Sequence, residues 1–138
     1  MQTKCLKSLK ITLGIIGTFH LLIGLFSLIP YIPKAQIASV VYKATIDPTP
    51  QLMHVAEMAG CYMFTVGFIT LLALRDPIKN VIVIYGLIAL LSLRVISIIL
   101  FSGQSYAVFG IPPFWYWTNC VVTAALLGAL ICLKPKPG

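Results

Sequence analysis

The chain has 138 residues, 59% of them hydrophobic and 9% charged, with a mean hydropathy of +1.00 and a formal net charge of +7. A soluble domain carries about 25% charged residues, so this balance excludes a water-soluble globular core. Four apolar runs use most of the length and leave no room for a separate soluble domain.

The first run covers residues 11–32 and follows Lys4, Lys7 and Lys10. A helix needs about 20 apolar residues to cross about 30 Å of hydrocarbon, and this run suffices. A signal peptide is the alternative, because the three lysines make a basic n-region. The run is too long for an h-region, however, and Ala35 and Ala38 are wrongly spaced for a cleavage site. The expectation is a retained helix. Gly17, His20, Gly24 and Ser27 fall at spacings of three and four, so small residues flank the imidazole on one stripe. Small residues let helices approach closely in lipid. Pro30 and Pro33 are expected to close the helix.

The connection over residues 34–51 is the longest. Residues 35–42 are apolar enough to lie along the interface as a short helix or strand, and Asp47-Pro48-Thr49-Pro50 reads as a turn. The second run, 52–74, carries Glu57, Gly60, Phe64 and Gly67, a stripe like the first. Both stripes are expected to face the interior. Arg75-Asp76-Pro77 is a tight turn, and the third run, 81–101, contains Arg94. Residues 102–114, with Gly103, Gly110, Pro112 and Pro113 and no charge, read as a loop. Phe114, Trp115, Tyr116 and Trp117 then mark a headgroup boundary before the fourth run, 115–133.

Lys4, Lys7, Lys10, Arg75, Lys79, Lys134 and Lys136 flank one set of helix ends, whereas the other side has only Lys34 and Lys43. This asymmetry follows the positive-inside rule and makes both termini cytoplasmic. The basic surplus is a topology signal, with a contribution to holding anionic lipid; nucleic acid is not expected as a partner. The predicted architecture is all-α: one membrane domain over residues 1–138, a four-transmembrane-helix up-down bundle, multi-pass in an inner or plasma membrane.

Glu57 and Arg94 are opposite charges inside separate apolar runs. A charge at bilayer depth costs about 2.5–3.5 kcal/mol on insertion scales, so it needs a partner or water. Counting about 1.5 Å per residue puts Glu57 about 8 Å and Arg94 about 10 Å below the outer ends of their helices. Helices joined by a short turn pack as antiparallel neighbours, so contact is feasible. His54 lies one turn above Glu57, and Asn119 enters at a similar depth, with Thr118, Ser97 and Tyr62 near the same level. His20 lies about 10 Å deeper than Glu57.

The expectation is an outward-facing polar pocket centred on Glu57 and Arg94, with His54, Asn119 and His20 as further candidates. The alternative is a salt bridge pinning two helices, since buried ion pairs specify register without adding net stability. The two coexist where an Arg orients a carboxylate and also binds an anionic group. His54 otherwise reads as an interfacial side chain. His20 needs only a hydrogen bond to a backbone carbonyl or to a residue such as Tyr62, and Asn119 reads as a helix–helix contact.

Cys5, Cys61, Cys120 and Cys132 include no C-x-x-C pair, which removes the main support for dithiol chemistry. Cys5 is placed for palmitoylation in a host with that machinery. Cys61 and Cys120 reach similar depths, but no functional disulfide is expected. Met53, Met58 and Met63 make no recognisable metal site. No phosphate loop, H-E-x-x-H or G-x-S-x-G motif occurs, and no catalytic residue, metal or cofactor is assigned.

Ala56-Glu57-Met58-Ala59-Gly60, Leu71-Leu72-Ala73-Leu74-Arg75-Asp76-Pro77 and Leu93-Arg94-Val95-Ile96-Ser97 together resemble the BphX-like and DoxX-like small four-helix membrane proteins. The shared pattern is a carboxylate early in the second helix, an R-D-P turn and an Arg late in the third. It covers about residues 52–101. The resemblance implies a bacterial-type inner-membrane protein and matches Glu57 and Arg94 to family positions; His20, His54 and Asn119 rest on the residues alone. Some DoxX-like proteins are accessories of membrane redox complexes, but no cofactor pattern carries that over.

Three functions fit these residues. The first is binding of a small amphipathic or anionic molecule or a lipid headgroup, or support of a membrane complex. The second is a small proton-coupled multidrug-type transporter, which needs a carboxylate that releases its charge. The third is a membrane enzyme using Glu57 and His54 as acid and base. The expected partners are the lipid bilayer, a small-molecule or lipid ligand, and a second copy or a membrane complex.

Overall fold

The computed structural model describes residues 2–29, 36, 39–40, 43–45, 47 and 49–135. In chain order these form α1 (Gln2–Leu28), α2 (Pro50–Ala73), α3 (Val81–Leu100), α4 (Ser102–Phe109) and α5 (Pro113–Leu133). There is no strand among the described residues. Four of their helices are long and apolar enough to cross a membrane: Lys4–Leu28 within α1, then α2, α3 and α5, with mean hydropathies of 2.0, 1.6, 2.5 and 1.7.

Several elements differ from the expectation. α1 begins at Gln2, nine residues before the apolar run, because lysines are good helix formers and the run marks the part suited to lipid, not the end of the helix. α2 begins at Pro50, where the missing N–H of proline costs nothing, and Thr49 caps it by accepting a hydrogen bond from Leu52 N at 3.3 Å. Residues 102–114 are not all loop, since α4 forms within them. Gly103 sits in its first turn, where a glycine costs less than in a helix interior. Pro30, Pro33 and most of segment 35–42 lie outside the described residues.

α1 and α2 pack antiparallel at very short range. A Cβ on Gly24 would lie 2.6 Å from Phe64 Cα and 2.8 Å from Gly60 O, and one on Gly67 would lie 2.7 Å from Leu21 Cα and from Gly17 O. Only hydrogen atoms at these positions let the two backbones touch, so dispersion and packing operate where lipid removes the hydrophobic driving force. The small-residue stripes of the two helices are therefore consumed against each other. α3 and α5 form a second antiparallel pair: Tyr116 OH donates to Ile98 O near one end, and Lys134 Nζ lies 5.4 Å from the Tyr85 ring centroid near the other. α1 also contacts α5, whereas α2 and α3 touch least of these packed pairs.

The turn between α2 and α3 is tight, as its sequence foretold. Asp76 organises it: its Oδ1 accepts from Lys79 N at 3.3 Å, its backbone carbonyl accepts from Asn80 Nδ2 at 2.9 Å, and Lys79 Nζ pairs with its carboxylate at 3.6 Å. Lys10 Nζ donates to Arg75 O at 3.4 Å. Together with Lys134 against Tyr85, this gathers basic residues from three segments at one end of the molecule. At the other end the connections meet, with Thr45 N donating to Phe109 O at 2.7 Å and Lys43 Nζ 5.9 Å from the Trp115 ring centroid. Gly110 sits there at φ +60°, a conformation that favours glycine.

The core is lopsided. Leu9, Leu13 and Ile16 of α1, Ile84, Leu87 and Leu91 of α3, and Leu130 of α5 are all at most 3% exposed. All seven lie toward the basic end. Outward-facing surfaces are apolar, with Ile82 76% and Leu100 69% exposed, as a hydrocarbon environment requires.

Candidate functional site

The buried seam of α1 runs Leu9, Leu13, Ile16 and then His20; that of α3 runs Ile84, Leu87, Leu91 and then Arg94. Spacings of three and four keep each series on one helical face. In both, the fourth member is polar. α1 and α3 each run away from the basic end, so the two polar residues arrive at a common depth.

His20 is 6% exposed, and its Nδ1 lies 2.8 Å from Ile16 O. A carbonyl only accepts, so the network assigns the ring proton to Nδ1. Of the two partners considered from sequence, the backbone carbonyl is the one used. Tyr62 is 69% exposed and faces away. Thr123 of α5, 5% exposed, falls near the level of Arg94 by interpolation between the Tyr85–Lys134 and Ile98–Tyr116 contacts. Its hydroxyl donates to Asn119 O at 2.7 Å, with Asn119 Oδ1 at 3.4 Å. A polar layer thus caps the apolar core. Reading by charge alone missed Thr123 and the depth match of His20 with Arg94; the continuation of the seams at spacings of three and four was the available signal.

Glu57 and His54 come together on α2, with His54 Nδ1 3.9 Å from Glu57 Oε2 and side chains 45% and 74% exposed respectively. Gly60 packs against Ser27 and Gly24, so Glu57, one turn further, lies beyond Ser27 and about two turns above His20. Side chains tilt toward the N-terminus of their helix. Glu57, on α2, therefore leans away from the α2–α3 turn, and Arg94, on the oppositely directed α3, leans toward it.

Arg94 is half-buried and makes no hydrogen bond or ion pair among the described residues. The chain has three carboxylates. Asp76 is held in the turn with Lys79, Glu57 contacts His54, and Asp47 is exposed in the first connection. Asn119 is half-buried and engaged with Thr123 on its own helix, Thr118 donates to Phe114 O at 2.7 Å, and Ser97 is exposed. Cys61 is exposed and Cys120 buried, and the four cysteines are free thiols. No cluster of three His, Cys, Asp or Glu suited to a metal occurs among the described residues.

The buried seams thus set a half-buried guanidinium and a buried imidazole at a common depth above an apolar core, and a guanidinium can take an anionic group there. No protein-family model matches the chain, and no characterised protein or solved structure matches it either.

Proposed function

We propose that the protein is a polytopic membrane protein, an up-down bundle with both termini cytoplasmic, that holds a small amphipathic or anionic molecule through the polar site around Arg94, with Glu57 and His54 at its outer rim. The observation that carries this reading is Arg94 itself. A half-buried guanidinium within a membrane helix is costly, and no side-chain carboxylate among the described residues is within ion-pair distance of it. Planar bidentate recognition of carboxylate or phosphate is what a guanidinium does best. The resemblance to BphX-like and DoxX-like proteins belongs to the same proposal and supports the placement of the Arg. The gathered lysines at the α2–α3 turn support the cytoplasmic assignment of that end.

The test is thermal melting of purified wild type, Glu57→Gln and Arg94→Gln against a panel of metabolites and lipids. A ligand that raises the melting temperature of wild type but not of folded Arg94→Gln supports the reading. Identical shifts in wild type and Arg94→Gln across the panel refute it.

A further inference from the structure

Resting on that reading, we infer that the occupant of the Arg94 site is a tailed oxyanion from the bilayer, a carboxylate or phosphate headgroup whose hydrocarbon chain lies against the outer part of α3.

The first argument is charge. Among the described residues no side-chain carboxylate pairs with Arg94: Asp76 pairs with Lys79, Glu57 lies 3.9 Å from His54, and Asp47 is in the exposed connection. The counter-charge for Arg94 therefore comes from outside the described residues. The second argument is depth. Arg94 lies six residues, or about 9 Å of helix rise, inside the Leu100 end of α3. The large side chains that are fully buried, from Leu9, Leu13 and Ile16 to Ile84 and Leu130, lie on the basic side of the His20–Arg94 layer. The apolar core thus forms a floor beneath the guanidinium, and approach is from the opposite half.

The third argument concerns the tail. On the outward side of the same part of α3, round the helix from Arg94, Leu93 (66%), Ile96 (51%) and Ile99 (54%) are exposed, a face that hydrocarbon covers and water does not. α2 and α3 are the least engaged of the packed pairs, so their seam is the natural lateral route for a headgroup. A bare anion would have to shed its hydration and would leave this face as it is. A tailed one brings its charge to Arg94 with its chain already in lipid.

Native mass spectrometry of the full-length protein in mild detergent tests this with four probes: oleate, phosphatidylglycerol, oleyl alcohol and inorganic phosphate. The expected result is a saturable one-to-one adduct with oleate or phosphatidylglycerol, and which of the two binds tells the source of the oxyanion. Loss of a charge-assisted pair in Arg94→Gln is expected to weaken that adduct by about 10- to 100-fold. Arg94→Lys, which keeps the charge, is expected to lose less, and melting curves verify that both variants fold. Oleyl alcohol binding as tightly as oleate overturns the oxyanion. Inorganic phosphate binding as tightly as the tailed probes, and lost in Arg94→Gln, overturns the tail while leaving the ligand site at Arg94 intact. Equal binding of every anion by wild type and Arg94→Gln overturns both.

Discussion

Replacing Gly24 by alanine tests the structure at its tightest point. The new Cβ would stand 2.6 Å from Phe64 Cα and 2.8 Å from Gly60 O, whereas carbon atoms pack at about 3.5–4.0 Å. Both obstacles are backbone, so no side-chain rotation relieves the overlap. α1 and α2 must separate locally by about 1 Å, a gap that forfeits about a quarter to a half of each affected dispersion contact. Overpacking of this kind costs about 1–3 kcal/mol, and the backbone obstacles place Gly24→Ala in the upper part of that range. The better helix propensity of alanine returns up to about 1 kcal/mol, leaving a net loss of about 1–2 kcal/mol. Gly86→Ala is the control, because a Cβ there meets nothing within 4 Å; it is expected to be neutral or stabilising by up to about 1 kcal/mol. Equilibrium unfolding in mixed micelles, followed by circular dichroism, measures the difference. If Gly24→Ala and Gly86→Ala unfold within about 0.5 kcal/mol of each other, near the limit of such comparisons, the close α1–α2 contact is wrong.

Arg94→Leu puts an apolar side chain at a half-buried position of α3, and insertion scales separate the two residues by about 3 kcal/mol; the variant should unfold later than wild type while losing any ligand-induced shift, and an earlier melt would mean that Arg94 has a structural partner. Tyr116→Phe removes the hydroxyl that donates to Ile98 O and should cost about 1 kcal/mol in the same unfolding assay; no change would show that this bond does not tie α5 to α3. Asp76→Ala removes the side-chain acceptor for Lys79 N and the pair with Lys79. About 1 kcal/mol is expected, with Asp76→Asn losing less because it keeps the acceptor. For the orientation, a variant retaining only Cys5 should react with a membrane-impermeant maleimide in inverted vesicles and not in intact cells. Gly103→Cys in a background without other cysteines should do the reverse, and labelling of Cys5 from the outside of intact cells would invert the proposed topology.

How much was legible beforehand differs by element. The helix-forming runs were plain because 59% hydrophobic residues in four blocks of bilayer length admit few other solutions: backbone groups in hydrocarbon must bond within their own helix. The turn at Arg75-Asp76-Pro77 was equally local, resting on one carboxylate and one proline. The start of α1 and the presence of α4 were not legible, since composition marks where a helix enters lipid and not where its hydrogen bonding stops.

The glycine stripes announced close packing, yet only the tertiary structure decided that Gly17 and Gly24 meet Gly67 and Gly60 and not another copy. The site followed the same division. Charge alone singled out Glu57 and Arg94, because a charged residue in an apolar run stands out in any window. Which neighbour each one meets depends on helix direction and on the tilt of every Cα–Cβ bond toward the N-terminus. That tilt leans Glu57 toward His54 on its own helix, whereas the common depth of His20 and Arg94, 74 positions apart, is a relation that no local pattern carries. The sequence by itself determined that four segments are long and apolar enough to cross a membrane and which charges lie within them; tertiary structure decided what surrounds those charges, because that depends on how antiparallel helices are aligned.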